Sequence, residues 1–153
     1  LAFLLALVVA VMLPSNAGAR RIPYCHLFST ADVGSATGYR GVRVEGSVRP
    51  APSAKNQGTM QVCDFWSGTD QVAESSVMTF KTVSTTAQEF RSQITGRASS
   101  KPHSVSGPWK KAYRISTNEI FVLEGRHIFH IQFTVRTTAK RVRVLAKRAA
   151  TEL

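Results

Sequence analysis

Apolar residues run without a break from Leu1 to Leu13, Pro14 stops any helix they form, and Ala17-Gly18-Ala19 places small residues at the −3 and −1 positions of a signal-peptidase site. The pattern predicts a cleavable signal peptide over residues 1–19 and a mature chain that starts at Arg20. An uncleaved anchor is disfavoured, because the apolar run is well short of the ~20 residues that span a bilayer. No charged leader stands before Leu1, so the expected signal lacks its first segment. No later stretch is apolar enough to cross a membrane, and residues 20–153 read as one domain.

Within that domain the periodicity switches repeatedly between helix and strand. Ser29 or Thr30 can cap a helix over 30–37, with Asp32 in its first turn and Gly38 closing it. Alternation of Val42, Val44 and Val48 with Arg43, Glu45 and Ser47 suggests an extended segment over 41–48 with one wet face. A loop follows over 50–58. Met60 to Ser67 reads as a largely buried strand, joined through Ser67-Gly68-Thr69-Asp70 to a second strand at about 75–83. Thr85 with Gln88, and Thr86 with Glu89, both match a capping box, and Ala87, Phe90 and Ile94 continue at helical spacing, which predicts a helix over 86–96.

After an irregular connection over 97–110, three strands are expected at about 111–116, 118–124 and 127–135. In the last, Phe129, Ile131, Phe133 and Val135 face one way, while Ile128, His130, Gln132 and Thr134 face a side expected to be solvated. Residues 138–153 close the chain as an amphipathic helix with Val142, Leu145, Ala146, Ala149 and Leu153 on one face. Helices that precede, interrupt and follow hairpin-joined strands predict an α+β domain. The expected architecture is an antiparallel sheet of about five strands, with helices packed on one face.

Charge and cysteine usage narrow the setting. Twenty Lys and Arg stand against nine Asp and Glu, a formal net charge of +11, and none of these residues lies before Arg20. Such a balance speaks to anionic partners and not to fold. Outside the cytoplasmic membrane those partners include phosphorylated wall polymers, acidic polysaccharide and lipid headgroups; nucleic acid is disfavoured in that compartment. Two cysteines in an exported chain are expected to pair, which predicts a Cys25–Cys63 disulfide. A zinc site built from Cys25, His26 and Cys63 lacks the C-x2-C spacing such sites use. No metal and no cofactor is expected.

Candidate chemistry is sparse. His127 and His130 stand three apart on an expected strand and point to opposite faces, and no metalloprotease, nucleophile-elbow, P-loop or dinucleotide motif is present. Asp64 sits within a strand and reads as an edge-exposed carboxylate, or as a buried one that needs an Arg partner. The strongest lead is the last helix, whose outer face carries Lys140, Arg141, Arg143, Lys147 and Arg148. That stripe could meet phosphate or carboxylate polymers, or serve only as a solvated face. It has no exposed aromatics to stack on bases, and its apolar side is small and committed to the core. Trp109, with Tyr113 nearby, could line a small-ligand pocket from the 97–110 connection, or plug the core edge.

Cys25 before Leu27-Phe28-Ser29-Thr30-Ala31-Asp32-Val33 and Gly38, Cys63 with Phe65-Trp66, Val105-Ser106-Gly107 leading to Ala112-Tyr113, and an Ala/Leu-bearing final helix together resemble a known group. The chain is similar, over about residues 25–153, to the small two-cysteine exported domains of unknown function found among actinobacterial lipoproteins and secreted proteins. The resemblance implies a compact α+β domain with its two cysteines bonded and no assigned activity. Two departures stand out: Ile22-Pro23-Tyr24 precede Cys25 where a lipobox would place its cysteine directly after the signal, and a second glycine expected after Gly107 is replaced near Trp109. The expectation is a secreted or periplasmic non-enzymatic binding domain that contacts an anionic envelope polymer, or an envelope protein, through its last helix. The rival readings are a carrier with a pocket at Trp109 and a hydrolase using His130, Asp64 and a nearby hydroxyl.

Overall fold

The computed structural model describes residues 23–51, 58–97 and 101–153. The expected signal peptide over 1–19 lies outside the described residues, as does the 52–57 part of the expected loop. A 3-10 turn at Pro23–His26 leads into helix α1 (Thr30–Thr37). Strands β1 (Arg43–Pro50), β2 (Thr59–Ser67) and β3 (Asp70–Thr79) precede α2 (Val83–Arg97). Strands β4 (His103–Ser104), β5 (Lys111–Ser116), β6 (Glu119–Glu124) and β7 (His127–Phe133) then lead to α3 (Ala139–Ala150).

All seven strands join one antiparallel sheet in the order β1-β2-β3-β7-β6-β5-β4, so two meanders meet where β3 pairs with β7. The α+β class holds. The strand count exceeds the expected five because β1 pairs with β2 along its whole length and the short β4 adds an edge to β5. Two-residue loops close the β2–β3 and β6–β7 hairpins, and each needs positive φ, which Gly68 (60°) and Gly125 (53°) supply. The tight first hairpin starts β3 at Asp70 instead of 75. α2 likewise starts earlier than expected: the Thr82 hydroxyl accepts from the Thr85 N–H and caps the helix one turn upstream.

The helices cover both faces of the sheet, a correction to the expectation of one covered face. α1 and α3 bury Val33, Ala36, Val142, Leu145, Ala146 and Ala149 against Phe65, Val122, Phe129 and Ile131. α2 buries Phe90 and Ile94 on the opposite face against Met78, Phe121, Leu123 and Ile128. The side of β7 expected to be solvated is therefore largely dry, with Ile128 at 0% and His130 at 2% exposure. β7 is the middle strand of the seven, so its two faces meet different helices. The Cys25–Cys63 disulfide, with 5.5 Å between Cα atoms, pins the 3-10 turn to β2 beneath α1. Beside it Phe28 stacks on Phe65 at 5.3 Å and meets Phe129 edge-on at 6.2 Å.

Candidate functional site

Thr138 caps α3 by accepting from the Arg141 N–H. No acidic residue lies in Ala139–Ala150, and the five expected cations Lys140, Arg141, Arg143, Lys147 and Arg148 all stand on its exposed side. They do not behave alike. Arg141 donates from Nη1 to the Ala36 carbonyl (3.1 Å), Arg143 from Nη2 to the Ser106 carbonyl (2.6 Å), and Arg148 pairs with Asp32 on α1. These contacts fasten α3 to its neighbours while leaving further guanidinium N–H groups on each side chain, since Arg carries five donors. Lys140 and Lys147 have no ion-pair or hydrogen-bond partner among the described residues.

Burial raises the Asp32 carboxyl, but the Ser29 N–H and hydroxyl and the Arg148 guanidinium outweigh it and hold the group below the usual carboxylate range. Asp32 thus stays ionised and anchors one of the five cations. Between α1 and α3 runs a groove of about 400 Å³ lined by Lys140, Arg141, Arg148 and Val144, which is 53% exposed. On the other flank of α3 a second groove, about 340 Å³, brings His103 and Arg114 beside Arg143. Arg136 lies with Arg141 around the start of the helix. The cationic surface is therefore a band and not only a helix stripe. His103 and Arg114 went unread in the sequence because the sheet edge, not helical spacing, carries them to α3, and Arg136 because it precedes the helix.

Trp109 and Tyr113 do not meet. Trp109 packs on the α1/α3 side of the sheet and donates from its indole N–H to the Val105 carbonyl at 2.8 Å, whereas Tyr113 points to the α2 side and contacts Phe90 at 6.0 Å between ring centres. They pack on opposite sides of the sheet, so they form no common pocket. Family models, curated proteins and solved structures offer no match to this chain.

The α2 face holds the remaining polar cluster. His130 Nε2 lies 2.9 Å from Glu119 Oε1, the same oxygen is 3.5 Å from Arg97 Nη1, and the His130 ring stacks on Phe121 at 4.2 Å. Burial raises the Glu119 carboxyl, yet the His130 hydrogen bond and charge together with Arg97 pull it below its ordinary value. Glu119, not Asp64, is therefore the carboxylate partner of His130. Asp64 is half-buried beside Glu74 and accepts a hydrogen bond from Gln71 Nε2 at 2.7 Å; burial first, and then the Glu74 charge, push its carboxyl up. Glu45, Asp64, Glu74 and Glu119 share one register row on this face. Four of the nine acids thus lie across the sheet from α3, while Asp32 stands beside it on Arg148.

His127 faces the other way from His130, as alternation requires. Its Nδ1 is 3.0 Å from the Thr79 hydroxyl, Tyr24 meets its ring edge-on, and burial followed by the Arg126 charge pushes its pKa down. Among the described residues no group of three or more His, Cys, Asp or Glu side chains could hold a metal ion, and no helix is long and apolar enough to cross a membrane.

Proposed function

We propose that this chain is a secreted or periplasmic binding domain, akin to the two-cysteine exported domains it resembles, that contacts anionic envelope polymers through α3 and its flanks. One observation carries the reading: Lys140 and Lys147 have no partner among the described residues, while Arg141 and Arg143 are held in place by backbone carbonyls with donors to spare. Arginines fixed before binding lose less side-chain freedom on meeting a phosphate or carboxylate. The placement of Glu45, Asp64, Glu74 and Glu119 on the opposite face supports the same reading, because among the described residues Arg148 alone of the five cations is paired with an acid, Asp32. The Cys25–Cys63 bond supports the compartment, since such bonds persist where conditions are oxidising.

The test is a titration of the folded protein with long-chain polyphosphate and with polygalacturonate at increasing salt. Binding should weaken steeply and be gone by about 0.5 M salt, where charges a few ångströms apart are screened. Lys140→Glu with Lys147→Glu should remove most of the affinity with unchanged circular dichroism. Retained binding in that double variant, or binding indifferent to salt, sinks the proposal. An envelope protein as partner would instead appear as saturable binding that neither polymer displaces.

A further inference from the structure

The sheet ends on two unequal strands. β4 closes one side with two residues, whereas β1 closes the other with eight, and among the described residues β1 has a strand neighbour, β2, on one side only. A strand so placed carries a row of backbone N–H and C=O groups that point away from the sheet and are open to another chain. Residues 45–50 are exposed on both faces, with Val48 at 61%. Few of the devices that blunt such an edge are present: the register with β2 runs from Arg43 to Pro50 without a bulge, the strand holds no Lys, and its proline stands only at the end.

The charges at this edge specify the partner. Glu74, Asp64 and Glu45 stand directly opposite one another across β3, β2 and β1, so a row of three acids runs to the free edge. Like charges so placed repel. Burial first, then Glu74 and more weakly Glu45, raise the Asp64 carboxyl, and Arg49 offsets only part of this from along its own strand. Arg43 meets Glu45 Oε1 at 3.3 Å, which leaves Oε2 for a further donor. The next position outward in the row calls for a cation, and only another chain can supply it.

We infer that the chain pairs with a second copy of itself along β1, antiparallel and about a two-fold axis at Ser47. That register sets Glu45 opposite Arg49 of the second copy and Arg49 opposite its Glu45, with Val44 facing Pro50 and Val48 facing Gly46. Arg49 is exposed, so its side chain turns to the second copy without leaving a buried contact. Neighbouring axes do worse: one at Glu45 sets that acid against itself, one at Gly46 sets Arg43 against Arg49, and one at Val48 leaves Glu45 with no cation opposite. The pairing joins two sheets into one with both α3 surfaces on the same side. It does not depend on the polymer-binding proposal.

Sedimentation equilibrium of the folded protein tests it at ~0.15 M salt, where the repulsion between two copies of net charge +11 is screened beyond about 8 Å. A monomer–dimer equilibrium should appear within ~1–200 μM. Glu45→Arg and Arg49→Glu should each raise the dimer Kd at least ~10-fold, because each sets like charges opposite at two symmetric positions, and the two together should return it to within ~3-fold of wild type. Ser47→Cys should form a disulfide between copies on mild oxidation, since residues paired at the axis stand about 4.5–5.5 Å apart between Cα atoms. Val48→Cys should not, although Val48 is the more exposed apolar position, because its two copies lie more than ~7 Å apart. A monomer at every concentration, a dimer indifferent to both single reversals or not recovered by the double one, or faster cross-linking through Val48→Cys overturns the inference.

Discussion

His130 and Glu119 meet diagonally across β6 and β7, with Nε2 and Oε1 2.9 Å apart and His130 almost fully buried. Replacing one member leaves the other short of its partner in a desolvated site, so Glu119→Gln should cost about 1–3 kcal/mol. The folded Glu119 pKa is depressed from its ordinary 4.5, so the carboxylate contributes its full stability above pH 4.5 and loses it as pH falls through the lower folded value. Thermal melts of wild type and Glu119→Gln should therefore differ most at neutral pH and converge in acid. A constant difference across that range would rule the linkage out.

Asp64 carries the opposite sign. Burial, then Glu74, raise its folded pKa above 3.8, so the fold prefers the protonated form and its stability falls as pH rises through the folded value. Asp64→Asn keeps an oxygen for the Gln71 amide and should stabilise the protein at pH 7 by less than about 1 kcal/mol, given the solvent access of the site. Melts below pH 3.8, where both states of the wild type bind the proton, should show no gain.

The disulfide closes a separation of 38 residues between the 3-10 turn and β2. Loop-closure entropy for that length is about 4 kcal/mol, and Cys25→Ser with Cys63→Ser should lose a comparable amount in urea unfolding. A loss below about 1 kcal/mol would show that the turn is held by Phe28 and Leu27 packing alone.

Gly107 lies under the Trp109 ring, and a Cβ placed there would come within 2.3 Å of it. Gly107→Ala must displace the indole from Val105 and the core edge, at about 1–3 kcal/mol. Tryptophan fluorescence should shift to longer wavelength as Trp109 gains water. An unshifted spectrum with unchanged stability would contradict this packing.

Ser29 and Asp32 cap α1 reciprocally, each side chain accepting from the other's backbone N–H. Ser29→Ala should cost about 1 kcal/mol. Asp32→Asn should cost a similar amount and also release Arg148 from α1. If the α3 surface binds polyanions, freeing Arg148 should strengthen polyphosphate binding measured by the same titration.

What depends on neighbours a few residues away is legible in the chain alone: a helix start at Ser29 or Thr30 with Asp32 in its first turn, the turns at Gly68 and Gly125, the amphipathic α3 with its five cations, and an α+β alternation of elements. Two cysteines also left a single possible internal pairing. Strand periodicity separated Phe129 from His130 but not which face would be dry, because alternation states only that the two sets differ. Tertiary structure decided that by placing β7 at the centre of the sheet and laying α2 over its second face. It also split Trp109 from Tyr113, gave His130 to Glu119 instead of Asp64, and carried His103 and Arg114 to α3. Each of these rests on strand order and on contacts between elements far apart in the chain, and local pattern cannot encode which distant strand becomes a neighbour.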